Sequence, residues 1–409
     1  MKFTEYTLGS QISIKHGFAF SGNYISSEDN GIVLVTPGNF RIGGGFQEDK
    51  CKFYKGQLPE EYTLKPGDFI VTMTDLSKNA DTLGFSAFVP YSNRTYLHNQ
   101  RIGLVTLKSD LCDREYLYWL MRTYNYQRAI ANTATGATVK HTSPSKIYEY
   151  RFQAPEKTTQ NRIAQTLAAY DDLIENNQKQ IKLLEEAAMR LYREWFVNLR
   201  FPRHETAKIV DGVPEGWEKA YIEDVCQTIG GGTPSTIVPS YYKDGTIPWV
   251  TPTDITRNDC LVLLDTYKKI TEEGLARSSA KMLPPETILM TSRASVGFFG
   301  ISEQDVCTNQ GFISCIPNCK NMMMYILLNL MNRKDEIRQK AGGATYLEIN
   351  KATFRKLDIV KPTDRVLDEF QHITYTILKR ISALKKQSDL LQQARDKLLP
   401  KLMSGELEV

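Results

Sequence analysis

Two heptad repeats set 207 residues apart constrain this chain more than anything else in it. In the first, Ile163, Leu167, Tyr170, Ile174, Asn177, Ile181, Leu184, Ala188, Leu191 and Trp195 follow at alternating steps of four and three. Phe370, Thr374, Ile377, Ile381, Leu384, Ser388, Leu391, Arg395, Leu398 and Leu402 repeat that spacing. Such a period puts every seam residue on one helical face, which is buried when another helix packs knobs-into-holes along it. The two helices are expected to be each other's partners. Asn177 reads as the register-fixing position of the first copy. Thr374, Ser388 and Arg395 weaken the second copy, which therefore depends more on the first than the reverse. Off the seam, Asp171, Asp172, Glu175, Lys179, Lys182, Glu185, Glu186, Arg190, Arg193 and Glu194 are expected to form a solvated, mixed-charge surface.

The alternative, two core helices of unrelated domains, is decided by what lies between them. Residues 1–155 and 206–362 carry the same succession of short apolar runs and turn residues. Leu34-Val35-Thr36-Pro37-Gly38-Asn39-Phe40 answers Trp249-Val250-Thr251-Pro252-Thr253-Asp254-Ile255. Pro66-Gly67-Asp68 answers Pro284-Pro285-Glu286, His98-Asn99-Gln100 answers Thr308-Asn309-Gln310, and Gly136-Ala137-Thr138 answers Gly343-Ala344-Thr345. The offset drifts through 215, 218, 210 and 207, as expected for loops of unequal length on one duplicated scaffold. Extended runs are predicted near 32–35, 69–73, 85–89 and 102–107, with an amphipathic helix over 114–131 and a last strand ending at Ala154-Pro155.

The fold class is therefore α+β: two tandem-duplicated globular domains, 1–155 and 206–362, alternating with long helices over 156–205 and 363–409. These helices are expected to pair as an antiparallel coiled coil, relating the domains by a pseudo-twofold axis. At 1.5 Å per residue the first seam is about 50 Å long, against roughly 34 Å for one turn of B-DNA. Two similar but unequal readers on such a ruler suit an asymmetric, two-part DNA site.

A net charge of +4 supplies no polycationic tail, so any nucleic-acid contact must come from local clustering. No apolar run approaches 18 residues and Met1-Lys2-Phe3-Thr4 opens no signal peptide, so a cytoplasmic protein without a membrane role is expected. The seven cysteines are irregularly spaced and the five histidines scattered, a pattern of reduced thiols and no metal site. Gly230-Gly231-Gly232-Thr233-Pro234-Ser235 lacks the Gly-Lys-Ser/Thr ending of a phosphate loop and reads as a turn. No Asn/Asp-Pro-Pro-Tyr run or glycine-rich cofactor motif marks an adenine methyltransferase. The chain by itself is not expected to be an enzyme.

Leu191-Tyr192-Arg193-Glu194-Trp195-Phe196-Val197, Phe201-Pro202-Arg203-His204-Glu205, Asp211-Gly212-Val213-Pro214-Glu215-Gly216-Trp217 and the terminal run 398–407 join this two-fold layout. Together they resemble the DNA specificity (S) subunits of type I restriction-modification enzymes, over essentially the whole chain. The resemblance implies that each globular block is a target recognition domain reading one half of a bipartite site in double-stranded DNA. It implies that the helices set half-site spacing and dock two methyltransferase (modification) subunits and the restriction/translocase subunits. S-adenosylmethionine, ATP and Mg would then serve those partners, none being bound by this chain. The family often opens each helix with Glu-Gln three residues before the first seam residue; here Thr159-Gln160 and Val366-Leu367 stand there.

Base edges are read by polar side chains on loops, and phosphates are met by cations. Thr74, Lys78, Asn79, Arg94, Tyr96, Lys140 and His141 are the candidates in the first domain. Arg257, Ser292, Arg293, Thr345, Tyr346 and Lys351 are those in the second. The two Gly-Ala-Thr loops and the Thr74 and Ser292 loops rank highest. Two other readings stay open: a coiled-coil scaffold for proteins rather than DNA, and the recognition end of an autonomous DNA-modifying enzyme.

Overall fold

The computed structural model describes residues 2–49, 51–77, 79–343 and 346–409. Lys78 and Thr345 lie outside the described residues. The chain divides into two compact units, 1–172 with 391–409, and 173–390.

In the first unit an antiparallel sheet runs in the order Ile12–His16, Ile102–Leu107, Phe69–Thr72, Ser86–Phe88. A second sheet is built around Ile32–Val35 lying parallel to Thr95–His98. Thr4–Thr7 pairs antiparallel with Arg151–Ala154, which carries the chain into the first long helix. The Phe69–Thr72 strand is buried throughout because it is covered on both faces, which is why it reads as a continuous apolar run. The single helix expected over 114–131 is two, Arg114–Leu120 and Tyr124–Asn132. Thr123 divides them: its hydroxyl accepts the Tyr126 N–H at 3.3 Å as an N-cap.

The second unit repeats this plan. Its main sheet runs Cys226–Gly230, Phe312–Pro317, Ile288–Thr291, Phe299–Ser302, with Val262–Leu263 added at the edge. Ile247–Val250 lies parallel to Cys307–Thr308, and Glu218–Tyr221 pairs antiparallel with Asp358–Lys361. Met323–Asn332 and Lys334–Gln339 follow where the first unit has its helix pair. Every strand partnership named for the first unit recurs here, so the repeat read in the sequence is a duplication of fold.

The long helices are Lys157–Tyr192 and Asp364–Ser404. A wider π-helical turn, Arg193–Val197, extends the first. It cannot continue to 200, because Leu199 and Arg203 take left-handed φ values of 56° and 68°. In the second unit the helices run antiparallel: the Asn177 side chain donates to Gln387 Oε1 at 3.1 Å, while the Trp195 and Phe370 rings lie 5.6 Å apart. Asn177 therefore pairs with a polar partner on the facing helix, as a register-fixing residue should. In the first unit Ile163 and Leu167 share a core with Leu399, Leu402 and Met403.

The seam departs from a strict heptad at three places, the first being Tyr192, which is buried beside half-buried Leu191. Leu378 and Leu399 are buried beside half-buried Ile377 and Leu398. A straight α-helix drifts by about 20° per heptad, and each helix also packs on its globular block, which widens the buried face. Two carboxylates expected in solvent are engaged. Asp171 receives the guanidinium groups of Arg122 and Arg395, and Glu185 accepts the Leu261 N–H at 2.7 Å.

Gln160 explains one feature of the helix start. It is fully buried; its carbonyl accepts the Asp113 N–H at 2.8 Å and its amide donates to the Pro155 carbonyl at 2.8 Å. Leu367 occupies that heptad position in the second copy, and Gln371, one turn later, accepts the Met324 N–H at 3.0 Å instead. In each unit a glutamine on the long helix thus receives a backbone N–H at the start of the helix pair.

Candidate nucleic-acid interface

In the first unit three strands meet one edge of the main sheet. Ile12–His16 and Phe69–Thr72 end there and Ile102–Leu107 begins there, with His16 opposite Gly103 and Thr72 opposite Ile102. The loops leaving that edge form a rim. Thr74–Asp75 pairs antiparallel with Lys140–His141, and Thr135 bridges His141 to close the hairpin. Backbone hydrogen bonds tie the rim laterally: Met73 N–H to the Arg101 carbonyl at 2.9 Å, and Thr142 N–H to the Met73 carbonyl at 3.0 Å.

The second unit has the same rim. Ser292 N–H donates to the Gly311 carbonyl at 2.8 Å and Ile349 N–H to the Ser292 carbonyl at 3.0 Å. Arg293 and Gly342 both bridge Glu348. Gly136 and Gly343 occupy matching places in the two hairpins, with φ values of +96° and +133°, where a Cβ would strike the carbonyl of Val139 or Tyr346. The short helices Pro144–Tyr148 and Lys351–Arg355 then start under side-chain caps from Ser143 and Asn350.

This geometry shifts the sequence correspondence by a residue from the Gly67 turn, which matches Glu286, through to the rim. The counterpart of Thr74 is Arg293, not Ser292, since each faces the returning hairpin strand. Ser292 matches Met73 and is buried as a backbone clamp. Thr74 is buried too, and its hydroxyl shares a hydrogen bond with His141 Nδ1 at 3.1 Å, which pins the hairpin. Lys140 is half-buried; Asn79, His141, Arg293, Tyr346 and Lys351 are exposed. Arg257 is exposed at the C-terminal end of the short helix Pro252–Thr256.

Two candidates are corrected. Tyr96 is 1 % exposed, and its hydroxyl hydrogen-bonds Glu48 at 2.7 Å and Ser92 at 2.8 Å, with burial pushing the phenol up to about 12. Arg94 is held by Asp29 at 2.5 Å and Glu48 at 3.3 Å. Tyr96 lies in the second sheet, and Arg94 directly precedes its strand Thr95–His98, at the end opposite the Asn99-Gln100 turn.

Sequence reasoning passed over Gln100, Arg101 and Gln310, which are exposed on the rims. The signal was present in the repeated Asn99-Gln100 and Asn309-Gln310 pairs.

Asp75 holds the first rim in shape. Its carboxylate accepts the Ser77 and Thr82 N–H groups at 2.5 Å each and the Thr82 hydroxyl at 2.6 Å. Burial alone would raise its pKa, but these hydrogen bonds keep it below the ordinary value. Among the described residues no cluster of three or more His, Cys, Asp or Glu is placed to hold a metal ion, and no helix is long and apolar enough to cross a membrane. The rims offer amide, imidazole, guanidinium and ammonium groups on clamped loops. Such groups donate to base edges and neutralise phosphates.

A family model described as the type I restriction modification DNA specificity domain matches the chain twice, over residues 2–186 and 214–398. Over 183 residues the chain is 29% identical to the type I restriction enzyme MjaIX specificity subunit of Methanocaldococcus jannaschii, covering 44% of this chain and 42% of that protein. It is 24% identical over 385 residues to the type I restriction enzyme HindI specificity subunit of Haemophilus influenzae, covering 78% of this chain and 83% of that one. The crystal structure of the type I restriction-modification S subunit from M. genitalium superimposes with a TM-score of 0.58 over 98% of this chain and 96% of that one. At 15% identity, that match bears on the fold alone.

Proposed function

The chain belongs to the family of type I restriction-modification DNA specificity domains, and on that premise we propose that each of its two rims reads one half of a bipartite, asymmetric site in double-stranded DNA. The observation that carries this reading is the pair of rims itself. Their backbone clamps match, while the side chains they present differ: Thr74 stands where the other has Arg293, and His141 where the other has Glu348. A shared frame with unlike side chains is what two readers of different half-sites require.

The long helices set the spacing between half-sites and present surfaces to two methyltransferase subunits and to the restriction/translocase subunits. Methyl transfer from S-adenosylmethionine, and ATP- and Mg-dependent cleavage, take place in those partners in the cytoplasm. The role of this chain is positional: it selects the duplex and fixes its register against the partner's active site.

The test is a methylome map of cells expressing the chain with its cognate modification subunit. Methylated adenines in two short halves separated by a fixed spacer support the reading. Removing one matched heptad from both helices should change the spacer and leave the halves intact. A continuous motif, or none, would move a protein-binding scaffold ahead of it.

A further inference from the structure

Each rim carries an element that the functional reading has not used, a clamped Asn–Gln turn. We infer that Gln100 and Gln310 are base-reading residues, each offering its side-chain amide to an adenine in its own half-site. The inference deepens the DNA-reading proposal above and rests on it.

Asn99 Oδ1 accepts the Arg101 N–H at 3.0 Å, and Asn309 Oδ1 accepts the Gly311 N–H at 2.9 Å. In both units the turn follows the strand that lies parallel to its neighbour in the second sheet, Thr95–His98 or Cys307–Thr308, and leads into an inner strand of the main sheet. The glutamine sits at the crest of each turn and is exposed.

The turn is held by a chain segment crossing it. Phe18 N–H donates to the His98 carbonyl at 2.8 Å and Gln100 N–H returns to the Phe18 carbonyl at 2.9 Å. In the second unit Gly232 N–H donates to the Thr308 carbonyl at 2.9 Å. The crossing segments lie so close that a Cβ on Gly17 would be 2.3 Å from the His98 carbonyl oxygen, and one on Gly231 2.1 Å from that of Asn309. Both glutamines are therefore displayed from backbone that has little freedom, which a base-reading side chain needs.

An amide carries a donor and an acceptor side by side, the complement of N7 and N6–H on the major-groove edge of adenine. The Thr233 hydroxyl already donates to Gln310 Oε1, which fixes that amide and leaves the oxygen a second lone pair. A cation accompanies each turn from a different element. Arg101 follows Gln100 directly, with no ion pair to its guanidinium among the described residues. In the second unit, where Gly311 takes that place, Lys351 Nζ lies 2.4 Å from where a Cβ on Gly230 would sit. One cation per rim suits a phosphate flanking the base that is read.

The experiment is methylome mapping of the assembled complex carrying Gln100→Ala, Gln310→Ala or Thr233→Val. Gln100→Ala should relax one adenine position of one half-site by at least tenfold and leave the other half unchanged, and Gln310→Ala should do the converse. Thr233→Val, which keeps the Gln310 amide but removes the hydroxyl that orients it, should weaken discrimination at the adenine read by Gln310 and leave the other half-site unchanged. Gln100→Glu keeps the size and removes the donor, so it should lose the same adenine. A wild-type complex with no bipartite motif overturns the DNA-reading proposal itself. A wild-type bipartite motif that the glutamine variants leave unaltered overturns the role of the turns alone, as does loss of both halves together with a lowered melting temperature.

Discussion

Arg122 of the first globular block reaches Asp171 of the first long helix at 2.6 Å, and the other oxygen of that carboxylate receives Arg395 of the second. Burial by itself would raise the Asp171 pKa, but the two guanidinium groups hold it below the ordinary carboxylate value. The Arg122 side chain is only 3 % exposed. Asp171→Asn would therefore leave two poorly hydrated cations facing a neutral group, and should cost the first unit about 3–5 kcal/mol. Since the folded pKa is depressed, the carboxylate's contribution is present above the unfolded value and is lost as pH falls through the folded one. Urea unfolding at neutral pH measures the cost; a loss below about 1 kcal/mol would place this triad among weak surface pairs.

Glu185 should show the opposite pH sign. Burial pushes its carboxyl up to about 7, against the pull of the Leu261 N–H, and Asp259 adds to the rise. Asp259 is itself held by Lys385 in an ion pair at 3.0 Å. A raised folded pKa means that the contribution is complete below the unfolded value near 4.5 and is lost as pH rises through 7. Glu185→Gln keeps an oxygen for Leu261 and removes the titration. The variant should match the parent at pH 4.5 and exceed it above pH 8 by at most about 3 kcal/mol. Parallel denaturation curves at both pH values would show no such linkage and exclude a buried, titrating Glu185.

Gly17 and Gly231 are the positions where added bulk should be felt on the rims. Neither has a left-handed φ; the constraint is the carbonyl oxygen within 2.4 Å of the missing Cβ. Gly17→Ala and Gly231→Ala must each push the crossing segment off its turn, a cost of about 1–3 kcal/mol. Gly22, with open space around its Cβ position, is the control and should accept alanine without loss. Thermal melts of the three variants decide it, and equal behaviour would mean that the clamp is soft.

The two heptads made the paired helices legible because a 4-3 period gathers the apolar residues on one helical face that another helix must cover. The tandem repeat was legible because Thr36-Pro37 and Thr251-Pro252, or Asn99-Gln100 and Asn309-Gln310, keep their order through changing loop lengths. Hidden from the sequence were facts that depend on a second element arriving from elsewhere. Asp171 lies off the seam and reads as solvated until Arg122, 49 residues away in the chain, is placed beside it. Tyr96 reads as a loop aromatic beside Arg94, yet its strand pairs with Val33 and Leu64 inside a sheet. The Thr74 and Ser292 loops rank together in the sequence, whereas pairing across the hairpin aligns Thr74 with Arg293. Periodicity reports the face of one element; it does not report which neighbour covers that face.

Arg293 and Lys351 allow base reading to be separated from phosphate contact on one rim. The Arg293 guanidinium lies 3.6 Å from Glu348 with both side chains about half exposed, so the pair holds it loosely and can yield to DNA. Lys351 is a compact charge in the first turn of its helix, suited to a phosphate. If Arg293 reads a guanine, Arg293→Ala should relax one position of one half-site by about 1–3 kcal/mol, with other positions kept. Lys351→Ala should instead weaken all sequences alike and lower the slope of log affinity against log salt by about 1. Both are measured by titrating the assembled complex with duplexes carrying single changes in the site, at several salt concentrations. A uniform loss for Arg293→Ala would reassign it to the phosphates, and unchanged binding would remove it from the interface.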